Sequence, residues 1–199
     1  LSQIMHTEDY VVGGTDAIVS TSFGNAQDPM FSKDANGNPG CFMHRQASFI
    51  TAFWPEGENA FAGSKTTVFP FPVIDASLPK AALGAGDMWG AFNDRDATKA
   101  VAEYMLSVGF FDAIAASPDN SRLSAHASYP SANYSSDLYK EFGAIVADAL
   151  AANAFRFDAS DLMPPEVGAG SFWKEMMNLA VEGPGYVDTA LDNIQKSWP

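Results

Sequence analysis

The stretch Met163-Pro164-Pro165-Glu166-Val167-Gly168-Ala169-Gly170-Ser171-Phe172-Trp173 decides how this chain is read. Two prolines stiffen its first half, two glycines loosen its second, and it ends in an aromatic pair that opens the amphipathic segment FWKEMMNLAVEG. Proline pairs and spaced glycines mark loops, so the helix is predicted to begin at Ser171 or close to it. Within it Met176, Met177 and Ala180 already supply an inward stripe at helical spacing. That leaves Trp173 surplus to the core. An indole at the mouth of a helix either plugs a core or is presented to something outside.

The 199 residues suit one domain of ordinary size or parts of two. Hydrophobic residues make up 47% and charged residues 18%, a globular composition. With 24 acidic and 11 basic side chains the formal net charge is -13. A negative field of that size disfavours nucleic-acid phosphates and anionic lipid surfaces. No apolar run approaches the roughly 18–20 residues that cross a membrane. Cys41 is the single cysteine, which excludes an internal disulfide and cysteine-rich zinc clusters. LSQIMHTEDY carries neither an initiating methionine nor a signal peptide, and LSQIM reads as the tail of an apolar helix. The expectation is a chain whose beginning is missing.

Working back from the opening stretch, Gly13-Gly14 precedes a short helix that turns Ala17, Ile18 and Phe23 inward. Lys33–Gly40 is turn chemistry throughout. CFMHRQASFITAFW (41–54) reads as a strand by aromatic and β-branched content. TTVFPFPVID (66–75) reads as another, at a sheet edge because of Pro70 and Pro72, and LGAGDMWGAF (83–92) as a glycine-punctuated third. One helix is expected over DATKAVAEYMLSVGFFDAIAA, with Ala97, Val101, Tyr104, Met105 and Val108 inward. A second covers SDLYKEFGAIVADALAAN, with Leu138, Phe142, Ile145, Val146 and Leu150 inward. FRFDASDLMPPEVG is expected to be extended or looped, and Tyr186–Trp198 to form a closing helix. Phe42, Phe53, Phe69, Phe110 and Phe142 are assigned to the core. Strands separated by helices give the α/β class.

No catalytic set stands out. His6, His44 and His126 are isolated from second ligands at metal spacing. Phosphate-gripping loops and nucleophile elbows are absent from the sequence, and GAGDMWG lacks the spacing of a dinucleotide loop. What remains is aromatic and hydrogen-bonding side chains beside glycines: Trp173 after Gly168 and Gly170, Asp87 and Trp89 around Gly86, and Arg45, Gln46 and Ser48 before Phe49. Flat apolar faces stack the C–H side of a neutral sugar, and Asp, Gln, Arg or Ser pair its hydroxyls.

In order, the stretches YVVGG, GCFMHRQASF, TTVFPFPVID, GAGDMWGAFNDRDATKAVAEYMLS, FRFDASDLMPPEVGAGSFWKEM and the closing KSWP resemble the family 1 extracellular solute-binding proteins, the sugar receptors of ABC importers. The likeness is to the α-glucoside and oligosaccharide-binding, maltose-binding-protein-like type, and it covers essentially the whole chain. It implies a two-lobed periplasmic-binding-protein-like (type II) fold, present here as the C-terminal half only. It also implies a small neutral oligosaccharide held in an interlobe cleft, delivery to ABC permease transmembrane subunits, and an extracytoplasmic location, periplasmic or lipid-anchored. No cofactor, metal or nucleic acid is implied. Residues 1–85 and 145–199 would belong to the C-terminal lobe, and 86–144 would visit the N-terminal lobe. Trp173 becomes a stacking platform with Phe172 beside it, and Trp89, Arg45, Gln46, Ser48, Gly86 and Asp87 line the same cleft. Two other readings stand beside this one: a carbohydrate-active hydrolase domain, which needs two carboxylates about 5–10 Å apart, and a truncated fragment that binds nothing.

Overall fold

Gly13 and Gly14 both take left-handed backbone angles, with φ of 77° and 69°, which only glycine adopts without strain. A Cβ on Gly13 would also lie 2.7 Å from the Cβ of Ala17. These residues therefore turn the chain sharply into helix α2 (Gly14–Ser20), which follows a one-turn helix α1 (Ser2–Met5). The computed structural model describes residues 2–55, 66–117, 120–126 and 128–199. They divide into two units, Leu1–Arg45 with Phe157–Pro199, and Gln46–Arg156. The unit boundaries fall at 45/46 and 156/157.

The first unit contains α1, α2, α3 (Asp28–Phe31), α7 (Ala159–Leu162), a π-helical turn (Glu166–Ser171), α8 (Phe172–Glu182) and α9 (Val187–Lys196). Helix α8 is its spine and packs on α2, α9 and the π turn. Val167, Leu179, Ala180 and Ala190 are its buried apolar side chains. Phe23, expected to face inward, is exposed. Among the buried groups is a carboxylate. Glu175 accepts hydrogen bonds from Tyr186 Oη at 2.9 Å and Asn193 Nδ2 at 3.2 Å. These bonds tie α8 to the turn at Pro184–Tyr186 and to α9.

The second unit is organised by aromatic rings. Helices α4 (Asp96–Met105), α5 (Val108–Ala115) and α6 (Asp137–Ala151) lie in it, with strands β1 (Ala82–Gly84) and β2, which starts at Phe155 and ends at Phe157. The strands form a two-stranded sheet. Tyr129, Tyr134 and Tyr139 are buried with Ala115 and Leu138, and Phe111 and Phe142 pack against them. Neighbouring rings meet edge to face: Phe111–Tyr129 at 5.1 Å, Tyr129–Tyr134 at 5.3 Å and Tyr139–Phe142 at 5.5 Å between centroids. This arrangement sets positive ring edges against negative faces.

Several expectations are corrected. The 41–54 stretch is not a strand: Ser48–Phe53 forms a 3₁₀ helix. Residues 66–75 carry neither helix nor strand, and of 83–92 only Leu83 and Gly84 are paired. Pro70 and Pro72 cannot donate to a ladder, so aromatic content there does not become a sheet. The helix expected across Asp96–Ala116 is two helices, because the Ser107 side chain accepts a bond from Phe110 N at 3.2 Å and caps a new start. Ala97, Val101, Tyr104 and Val108 are exposed, and Met105 is half-buried. Helix α6 forms as expected with Leu138 buried and Phe142, Ile145 and Val146 half-buried, but Leu150 is exposed. Phe42, Phe53 and Phe69 are also exposed, against their assignment to the core.

Candidate functional site

Trp173 is held by the chain before it. Val167 N and Gly168 N both donate to Pro164 O at 2.9 Å, so the proline pair closes the first turn of the π segment. A Cβ on Gly168 would fall 2.0 Å from the carbonyl oxygen of Ser160, so only glycine lets the π turn lie against α7. At the other end Ser171 Oγ and Ser197 Oγ are 2.6 Å apart, which links the front of α8 to the end of α9. The π turn runs directly into α8, so the expected loop is itself helical. Isolated π turns interrupting α-helices often sit at functional positions. Phe172 is half-buried and meets Trp173 edge to face at 5.2 Å. Trp173 itself is 54% exposed.

The helix carries its side chains in an unusual order. Glu175 and Leu179, one turn apart, are buried, whereas Trp173 and Met177, also one turn apart, face solvent. Two residues correspond to about 200° of helix, so an inward Glu175 places Trp173 on the opposite face. Burial pushes the Glu175 carboxyl up, and the hydrogen bonds from Tyr186, Asn193 and Asn178 outweigh that and leave it below the usual carboxylate range. The carboxylate is ionised at neutral pH and keeps these three donors engaged.

The other predicted residues fall into smaller groups. Arg45 ends the first unit's N-terminal stretch, and its charge helps lower the Asp158 carboxyl after the hydrogen bonds from Ser160. In the second unit Gln46 Oε1 accepts from Ala47 N at 2.9 Å. Ser48 opens the 3₁₀ helix, and its carbonyl accepts from Tyr139 Oη at 3.0 Å. Asp87 pairs with Arg122 Nε at 3.2 Å in full view of solvent, a geometry that stabilises little. Gly86 is exposed, and a Cβ there would meet nothing within 4 Å. Trp89 is about half exposed. Sequence reasoning missed Tyr139, Glu175 and Arg122. Asp87 and Arg122 are 35 residues apart and Ser48 and Tyr139 are 91 apart, so no local pattern signals either pair.

His6 and His126 bond the main chain. His6 Nδ1 bonds Ser2 O at 2.8 Å and its Nε2 lies 3.3 Å from Ala180 O, while His126 Nε2 bonds Leu106 O. Burial holds His44 below the ordinary imidazole value. Among the described residues no three His, Cys, Asp or Glu side chains converge as a metal site, and no helix is long and apolar enough to cross a membrane.

Trp173 is thus an exposed indole on a braced helix. The chain is 34% identical over 194 residues, 95% of its length, to the alpha-glucosides-binding periplasmic protein AglE of Rhizobium meliloti (strain 1021). It is 30% identical over 197 residues, 99% of its length, to the osmoprotective compounds-binding protein GgtB of Synechocystis sp. (strain ATCC 27184 / PCC 6803 / Kazusa). Both relatives are binding proteins. The matches cover 39% of AglE and 44% of GgtB, so the chain spans less than half the length of the curated relatives it matches. No family model and no solved structure matches it.

Proposed function

We propose that the chain is the ligand-contacting part of a substrate-binding receptor of an ABC importer, with a type II two-lobed architecture and an extracytoplasmic location. Its substrate is a small neutral oligosaccharide of the α-glucoside type. The observation that carries this reading is Trp173, a half-exposed indole whose helix is braced by the π turn, Gly168 and the Ser171–Ser197 link. A rigid flat apolar face offers stacking area at low entropic cost. In this reading Phe172 flanks the platform, and Arg45, Gln46, Ser48, Asp87, Gly86 and Trp89 supply the remaining contacts. A solute hydroxyl that fails to find its partner costs about 1–3 kcal/mol, which gives discrimination. Closure of two lobes about the solute then presents the loaded form to a membrane permease.

The names of both relatives bear on the substrate, because sucrose is at once an α-glucoside and an osmolyte. The test is a calorimetric titration with maltose, trehalose, sucrose and raffinose, repeated on Trp173→Ala. At least one sugar is expected to bind, and Trp173→Ala to weaken it at least about tenfold, roughly 1.4 kcal/mol. Equal affinity in the two proteins would remove the indole from the site. Release of reducing sugar from sucrose would instead establish hydrolysis.

A further inference from the structure

We infer that Tyr139, which lies on α6 and outside every predicted contact, is a positioning residue for the solute site. Its buried hydroxyl clamps the turn that presents Gln46 and Ser48. The inference rests on the binding reading above for the role of those two residues, and on geometry alone for the clamp.

Tyr139 is fully buried, and its Oη lies 2.8 Å from Thr51 Oγ1 and 3.0 Å from the carbonyl oxygen of Ser48. Thr51 Oγ1 is itself 3.2 Å from the same carbonyl. Each hydroxyl has a single proton to give, so two patterns are open. Tyr139 donates to Ser48 and accepts from Thr51, or Tyr139 donates to Thr51 and Thr51 donates to Ser48. In either pattern a buried hydroxyl holds the Ser48 carbonyl. The ring would pack against Tyr134 and Phe142 equally well without its oxygen, and burying a hydroxyl costs free energy unless it is bonded. The oxygen's distinctive product is therefore the fixed Ser48 turn. Gln46 precedes that turn and spends its Oε1 on Ala47 N, so the donors it offers a solute are its two amide hydrogens, aimed by where the turn is held.

Two conservative variants separate positioning from packing. Tyr139→Phe keeps the ring and deletes the Oη bonds to Ser48 and Thr51, leaving the carbonyl only the longer bond from Thr51. Tyr134→Phe removes another buried hydroxyl of the same cluster, one that accepts from Ser124 N at 2.8 Å and has no bond to the turn. Two readouts are taken on the full chain: amide hydrogen exchange at Ile50 and Trp54, whose N–H groups bond within the turn, and calorimetric affinity for sucrose and trehalose. Tyr139→Phe is expected to speed exchange at both amides and weaken sugar binding, each by about five- to tenfold, the scale of one buried hydrogen bond. Tyr134→Phe is expected to lower the unfolding midpoint similarly and change neither readout. Thr51→Val should act in the direction of Tyr139→Phe, with effects that do not add in the double variant. Unchanged exchange in Tyr139→Phe, or equal acceleration in both variants, overturns the clamp. Faster exchange with unaltered affinity overturns its link to the site. If the wild-type chain takes up none of maltose, trehalose, sucrose and raffinose, the binding reading fails, and the clamp is decided by exchange alone.

Discussion

Two stretches of the second unit have similar aromatic content and opposite fates. Phe69, Trp89 and Phe92 lie in 66–92 and are exposed, Phe92 to 98%, whereas Tyr129, Tyr134 and Tyr139 lie in 129–139 and are all below 10%. Hydrophobicity does not separate them, since phenylalanine is the more apolar residue. The buried set has a scaffold. Helix α6 carries Tyr139 into the cluster, and each hydroxyl finds a partner: Asp112 for Tyr129, Ser124 N for Tyr134, Ser48 and Thr51 for Tyr139. The exposed stretch is punctuated by Pro70, Pro72, Gly86 and Gly90, and only Ala82–Gly84 within it pairs as a strand. Burial follows what a backbone can organise, and polar tips make the tyrosines specific as well as apolar.

The comparison is broken most directly by deletion. Tyr134→Ala empties a site shared by Tyr129, Tyr139 and Phe111 and is expected to cost about 3–5 kcal/mol in urea unfolding. A loss below about 1 kcal/mol would mean that the cluster is not the core of this unit. Alkali gives a second, smaller effect. Burial, reinforced at Tyr129 by Asp112 and partly opposed at Tyr139 by the bond with Thr51, pushes both phenols up to about 12 from 10.0. A raised folded value means that the unfolded chain loses these protons first, so the contribution of these two phenols is level below pH 10 and is lost between pH 10 and 12. Thermal midpoints followed together with phenolate absorbance check this. A decline that begins well below pH 10 would count against it. The smallest effect belongs to the exposed set: Phe92→Ser should change stability by less than about 0.5 kcal/mol while reducing binding of a hydrophobic dye. A larger destabilisation would show that Phe92 is covered in solution.

The helices were the readable part of this chain. Helices α6 and α9 follow their apolar periodicity, whereas the helix expected to open at Ser171 is already under way there, because the π turn runs into α8 without a break. The strand assignments failed because aromatic and β-branched content reports a preference for half-buried surface, whereas a ladder needs partners that no short window contains. The break between α4 and α5 was written in Ser107 but hidden by a continuous apolar pattern. At the candidate site, the exposure of Trp173 was legible because its own helix already had an inward stripe, although that stripe is Glu175, Leu179 and Ala180 with Met177 turned outward. The clamp on Ser48 was not legible, since Thr51 and Tyr139 lie 88 residues apart.

The π turn at Glu166–Ser171 has a consequence for how this region tolerates change in length. A π turn holds one more residue than the α turn it replaces, so it behaves as a single-residue insertion stored inside a helix. Removing Ala169 while the segment closes as ordinary α-helix would leave the two flanks in register, because the same full turn is made with one residue fewer; a loss that the π turn does not absorb would instead turn everything before it by about 100° relative to α8. The indole would keep its chemistry, its helix and its neighbour Phe172, yet face a different direction from the Met163–Pro165 approach. Among related chains, a loss of one residue that the π turn absorbs is thus silent, one that it does not absorb is a change of aim, and longer insertions in the Lys33–Gly40 turn are simply a change of length.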